Sequence, residues 1–497
     1  MCKVCDFSSV FFHNLLTSTR KMALAKFLLV LLLINFCSGS FINPYPRLKF
    51  RPIEGGTDVG EPLFLTPLIH AGKIEEARNL SAVRHPELNF APSHSGYLTV
   101  DAKMNSNLFF WYFPAKTNPH DAPIVVWLQG GPGASSLFGL FTENGPFEFT
   151  ESGKVTRRKY SWHLNHHLIY FDNPVGTGFS FTDDDKGYSS NESEVGINLH
   201  LALEQFFKVF PDIRGNPFWV TGESYGGKYV PALTHRIHKM NEHAAENEKI
   251  NLKGMAIGNG LSDPLHQLKY GDYLFQLGLI DANGRDLFHE YEKRGVDAIN
   301  KRDFNAAFDI FDELINMDQL PSGSLFKNLT GFETYFNYLK STDSGIDDNN
   351  MGKFLQRADV RKAIHVGNCT FHDTSGENKV EEHLKLDVMD TVAPWVSEIL
   401  AEYRVCIYNG QLDVIVAYPL TVNYLSQLKF KDREAYLKAP RYVWRVDKDI
   451  AGYAKEAGNL VEVMVRNAGH MVPADQPKWA MDLITRLTSG KSFAVNP

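Results

Sequence analysis

The chain reads as an α/β protein built on a mostly parallel central sheet with a helical insertion, and three features predict it. Six apolar, β-rich runs each end in a glycine or turn cluster: residues 122–133, 166–180, 216–224, 250–260, 403–413 and 459–470. Runs that are apolar throughout suit strands covered on both faces. Helical spacing lies between them, most clearly in SEVGINLHLALEQFFKVF at 193–210, and strands alternating with helices argue a parallel sheet. Residues 262–353 differ. They hold amphipathic, charge-rich stretches at 304–317 and 334–341 and no clear strand. They read as a helical insertion, either a lid over the strand ends or a separately packed subdomain.

In chain order, residues 1–40 are an N-terminal extension and signal peptide. MALAKFLLVLLLINFCSGS, starting at Met22, has a basic start, an apolar core and small residues at Ser38, Gly39 and Ser40. That is the pattern of a cleaved secretory signal. Met1–Lys21 precede it, and Met22 is an alternative start. Residues 41–88 form an N-terminal segment that reads as Pro-rich and loop-like. Residues 89–261 and 354–497 are the two parts of the core that flank the insertion. No later stretch is long and apolar enough to span a bilayer, so the mature form is expected to have no membrane span.

The composition is that of an ordinary globular chain, 497 residues with 43% hydrophobic and 22% charged. A formal net charge of −7 leaves no basic footprint for nucleic acid. Of five cysteines, Cys2, Cys5 and Cys37 lie in or before the signal. Cys406 reads as a small buried hydrophobe, and whether it pairs with Cys369 stays open. Four sequons follow the signal, at Asn79, Asn191, Asn328 and Asn368. In a secreted chain each is a glycosylation candidate; the bland alternative for each is an unused sequon.

The chemistry enters at WVTGESYGGKYVPAL, residues 219–233. An apolar run gives way to Gly222-Glu223-Ser224-Tyr225-Gly226 and then to helical spacing. A serine on a sharp strand-to-helix turn needs neighbours without bulk at minus two and plus two. This is the nucleophile elbow of the α/β-hydrolase fold; the bland alternative is a Gly-rich turn. A serine hydroxyl needs a base, itself oriented by a carboxylate. The required order is serine, acid, histidine. Asp413 and His470 follow strand-like runs in that order. In WLQGGPGASS (127–136), adjacent glycines after a strand free backbone amides for an oxyanion. Gly131 and Tyr225 are the expected donors. A phosphate loop is the rival, but the chain lacks its G-K-S/T.

The segments WLQGGPG, DNPVGTGFS, TGESYGGKYVP, YNGQLD and NAGHMVPADQP together resemble the serine carboxypeptidase family, from about Glu61 to near the C-terminus. EPLFLTPLIHAGKIEEARNLS and AIHVGNCTF are similar to its vitellogenic-like branch. The resemblance implies an α/β-hydrolase fold with a helical insertion. It also implies that Gln129, Gly130, Glu143 and Glu223 hold the terminal carboxylate of a peptide. Two adjacent carboxyls cannot both ionise cheaply, so one proton is shared and binding is favoured at acidic pH. The family usually has asparagine at Gln129, so the carboxylate geometry is expected to shift. It commonly has a disulfide cysteine at Ala134, so that brace is absent. It often has alanine where Gly227 stands, a departure expected to be tolerated.

The expectation is a secreted or lysosomal exopeptidase acting on peptides or proteins with a free C-terminus, with no metal or organic cofactor. A homodimer is left open. The rivals are an acyltransferase on the same fold, a generic esterase, and a non-catalytic stabiliser or storage protein. A complete carboxylate-binding set disfavours the first two; a complete triad disfavours the third.

Overall fold

The structure, a computed structural model, describes residues 58–316, 323–342, 348–372 and 378–494. The expected signal peptide lies outside the described residues. Among the described residues twelve strands form: β1 His94–Asp101, β2 Ser106–Phe113, β3 Ile124–Leu128, β4 Phe147–Phe149, β5 Val155–Arg157 and β6 His167–Phe171. They continue with β7 Phe218–Glu223, β8 Leu252–Gly258, β9 Arg404–Gly410, β10 Arg441–Val446, β11 Asp449–Ala457 and β12 Leu460–Val465. Ten make one sheet in the order β1-β2-β6-β3-β7-β8-β9-β12-β11-β10, and β4 pairs with β5 alone.

The six apolar runs become β6, β3, β7, β8, β9 and β12, and these are mutually parallel. Burial on both faces explains their composition: β3, β6, β7 and β12 are buried at every position. The antiparallel edges β1–β2 and β10–β11 are additions to that reading. β10 exposes its first three residues, so it lacks the continuous apolar run that marks the centre. The helix Glu192–Val209 covers the 193–210 pattern and buries Leu199, Leu203 and Phe206. Described residues of 262–353 form helices, among them Ala282–Asn300 and Phe304–Phe311, and no strand.

The reading of 41–88 as loop is corrected in its described part. Helices run Thr66–His70 and Ile74–Leu80. Pro67 sits in the first turn of its helix, where it starts a helix rather than breaking one. Both helices lie against Glu192–Val209: Thr66 donates to Gln205 (2.5 Å) and Arg78 Nε to the Val209 carbonyl (2.9 Å). No helix among the described residues is long and apolar enough to cross a membrane.

Candidate active site

Five adjacent parallel strands, β3, β7, β8, β9 and β12, deliver polar residues at their carboxyl ends, where ligands bind in such sheets. Ser224 follows β7 with φ of 61°, a conformation that costs a non-glycine residue energy and survives only where its surroundings enforce it. The flanking glycines are dictated by β3. A Cβ on Gly222 would lie 2.4 Å from the Leu128 carbonyl oxygen, and one on Gly226 2.7 Å from the same atom. Gly130 is pressed against the elbow from the other side, its Cβ position 2.5 Å from the Tyr225 nitrogen. Gly131 follows with φ of 114°. Ser224, Gly131 and Tyr225 line one cleft with Leu261, Phe336 and Val388.

Asp413 and His470 are fully buried, and His470 Nδ1 lies 2.8 Å from Asp413 Oδ2. Asp413 is held from two further sides. Asn259 Nδ2 donates to Oδ2 (2.7 Å) and the Ile415 amide to Oδ1 (3.0 Å). Asn259 stands directly after β8 and takes the Gly410 amide on its own Oδ1 (3.0 Å). Sequence reasoning missed it, although GNG at a strand end was a signal. His470 Nε2 is buried with no hydrogen-bond partner among the described residues.

The stretch 334–341, expected to be helical, is instead irregular chain threaded between the two loops. The Tyr335 carbonyl accepts from the Val414 amide (3.0 Å), and the Phe336 carbonyl from the His470 amide (2.8 Å). Apart from one local turn, Lys340 amide to Asn337 carbonyl (2.9 Å), its backbone bonds go mainly to the Asp413 and His470 loops. The Phe336 ring stacks on the His470 imidazole at 5.0 Å and 28°.

Behind the serine, Gln129, Glu143 and Glu223 are all fully buried. Trp127 Nε1 donates to Gln129 Oε1 (2.8 Å). Indole nitrogen is a donor only, so the amide oxygen must face it. The amide nitrogen therefore faces Glu223 Oε1, 3.1 Å away. Burial pushes the Glu223 carboxyl well above its usual range, and the charge of Glu143 adds to that. Burial likewise raises Glu143, against the opposing pull of its contacts with Glu223 and Gln129. Both Glu143 oxygens lack a partner if the two carboxyls are charged, whereas one shared proton makes a carboxyl–carboxylate hydrogen bond. Arg158 fixes the turn that carries Glu143 through the carbonyls of Gly145, Phe147 and Phe141.

The loop after Ala134 is pinned without a cysteine. Ser135 donates to Asp172 (2.5 Å) and Asn378 to the Pro132 carbonyl (3.2 Å). Cys369 and Cys406 are both free thiols, and Cys406 is buried. Asn79, Asn328 and Asn368 are exposed. Asn191 is not simply displayed: it caps the helix Glu192–Val209 and its Nδ2 donates to Glu194 (3.0 Å).

Glycine at position 227 suits its surroundings, because the backbone there leaves no room for a side chain. A Cβ there would lie 2.7 Å from the Leu261 nitrogen and 2.8 Å from the Gly260 backbone. Backbone cannot swing aside as a side chain does. Gly227→Ala is expected to cost about 1–3 kcal/mol, measured as a lowered midpoint of urea unfolding. An unchanged midpoint would refute the clash.

Known proteins resemble this chain in sequence and fold. The family model described as serine carboxypeptidase matches residues 84–490. The venom serine carboxypeptidase of Apis mellifera is 56% identical over 474 residues, covering 95% of this chain and 100% of that protein. The vitellogenic carboxypeptidase of Aedes aegypti is 52% identical over 476 residues, covering 94% and 99%. Among solved structures, the prohormone-processing carboxypeptidase Kex1(delta)p of Saccharomyces cerevisiae shares the fold, with a TM-score of 0.68 at 23% identity over 83% of this chain and 95% of that one. The chain belongs to the serine carboxypeptidase family.

Proposed function

We propose that the chain releases C-terminal amino acids from peptides and proteins through an acyl-enzyme on Ser224, and does so best at acidic pH. Ser224 Oγ attacks the last peptide carbonyl while His470 Nε2 takes its proton. His470 Nδ1–H donates to Asp413 Oδ2, which fixes the tautomer that leaves Nε2 basic. The oxyanion rests on the Gly131 and Tyr225 amides. The C–N bond breaks as His470 returns the proton to the leaving amino acid. Water, deprotonated by the same Nε2, then adds to the ester and frees Ser224.

The observation that carries the reading is the Gln129–Glu223–Glu143 cluster beside the nucleophile. A generic esterase has no need of two buried carboxyls there. Holding a proton, the pair donates to a substrate carboxylate; a chain that continues past the site offers none. This makes the site one for free C-termini. The signal pattern and the names of the two insect relatives support a secreted or lysosomal setting, with glycans at Asn79, Asn328 and Asn368 and less readily at Asn191.

The test is release of the last residue from N-blocked dipeptides with a free or an amidated C-terminus, at about pH 4.5 and about pH 7.5. The free acid should be cleaved, faster at the lower pH, and the amide resisted. Equal cleavage of the two would overturn the carboxylate assignment.

A further inference from the structure

Lys228 has no place in the chemistry above, yet it is fully buried two residues into the helix that follows the nucleophile. Its Nζ donates to the Asp387 carbonyl, to the Asp390 carbonyl (2.7 Å) and to Asp387 Oδ2 (3.3 Å). Both carbonyls lie at the end of the helix Lys379–Val388, where that of Asp387 also accepts from the Asp390 amide (3.0 Å). Asp387 gathers more. Its Oδ2 also accepts from the Tyr225 hydroxyl (2.7 Å), and its Oδ1 from the Glu192 amide (3.3 Å) at the start of Glu192–Val209. One carboxylate thus joins the elbow residue, the core helix behind it and the helix that ends at Val388.

That last helix is a wall of the cleft. Val388 and Glu381 face the cleft with Ser224, as does Phe308 from the helix Phe304–Phe311. The two wall helices are tied by Lys385 Nζ, which reaches Asp309 (2.9 Å) and lies 5.1 Å over the Phe308 ring. The wall is therefore connected through Asp387 to Tyr225, whose amide is the oxyanion donor in the reading above.

We propose that Asp387 is a positioning residue that fixes the Tyr225 amide and the Phe308–Val388 wall of the cleft as one rigid unit. The inference rests on the proposed function for the role of that amide. Tyr225→Phe removes the hydroxyl and keeps both amide and ring. Asp387→Asn weakens the hub while keeping its size. Both are compared with the parent enzyme per active site, by kcat and KM on N-blocked dipeptides and by the rate of labelling with an uncharged fluorophosphonate. Labelling needs the serine and the oxyanion amides but no terminal carboxylate.

Displacing a donor by a fraction of an ångström should lower kcat and labelling rate about tenfold in each variant, with KM within about twofold. The ratio of kcat/KM for large against small acyl side chains should move as well, because the wall shifts with the amide. A support that matters only to folding would lower the fraction of active sites and leave kcat per site unchanged. Parent-like kcat and labelling in Tyr225→Phe would overturn the proposal, and that variant decides if Asp387→Asn does not fold. A parent enzyme that labels but releases no amino acid would remove the carboxypeptidase reading, with the labelling rates still judging the positioning role of Asp387.

Discussion

Asp413→Asn is expected to lower kcat by about 10⁴-fold with KM little changed, a loss of the size seen when a triad acid is replaced by its amide. The hydrogen bonds around Asp413 explain why the isosteric change is severe. Three donors face its two oxygens: Asn259 Nδ2 and His470 Nδ1 at Oδ2, and the Ile415 amide at Oδ1. An asparagine offers one oxygen and one NH₂, so at least one donor meets another donor. If the NH₂ turns toward His470, Nδ1 must become the acceptor and the ring proton moves to Nε2. The base is then blocked at the atom that should accept the Ser224 proton. If the NH₂ turns toward the Ile415 amide, a buried N–H is left unpaired at a cost of about 1–3 kcal/mol. Steady-state kinetics on N-blocked dipeptides, with a thermal melt as control, separates the two. A loss of less than about tenfold in a folded variant would reject the triad assignment. Ser224→Ala should remove turnover and fluorophosphonate labelling together.

The parts of this molecule legible in the sequence are those that the physics makes repetitive or local. The parallel strands announce themselves because a strand buried on both faces has no polar side to show. The sheet edges do not: β10 exposes Arg441, Tyr442 and Val443. Ser224, Asp413 and His470 could be found because each comes just after a strand and each is a residue type with its own chemistry. Asn259 occupies an equivalent place after β8 but only orients Asp413, and an amide with no reactivity of its own draws no attention. Phe336 was less visible still. Its strip bonds loops that lie about 80 and about 130 residues further along the chain, and non-local pairing of that kind leaves no periodicity to read. The same holds for Lys228 and Asp387, whose meeting depends on how two helices pack. Gly227 shows the limit of analogy. Family usage often puts alanine at this position and gives no reason for the glycine, which the close approach of Gly260 and Leu261 supplies.

Replacing both buried carboxyls by amides, Glu143→Gln with Glu223→Gln, is expected to abolish the acid preference proposed for the enzyme. In the parent, burial raises both groups above the ordinary glutamate value of 4.5, and the charge of Glu143 raises Glu223 further. The protonated pair can donate to a substrate carboxylate; the ionised pair repels it. Activity on free acids should therefore fall as pH rises through the raised range, by about tenfold per pH unit where a single proton is required. The double amide keeps its donors at every pH. Its ratio of kcat/KM at about pH 4.5 to that at about pH 7.5 should approach one, below the parent's ratio. Stability gives an independent readout with a defined sign. Below 4.5 the folded and unfolded parent both hold these protons. Above it the unfolded chain ionises while the folded chain keeps its proton, so folding loses stability with rising pH until the raised native value is passed. The double amide lacks this penalty, so its melting temperature should gain on the parent's as pH rises. A variant that retains the parent's acid preference and the parent's slope of melting temperature against pH would show that Glu143 and Glu223 do not share the proton on which this reading of the site depends.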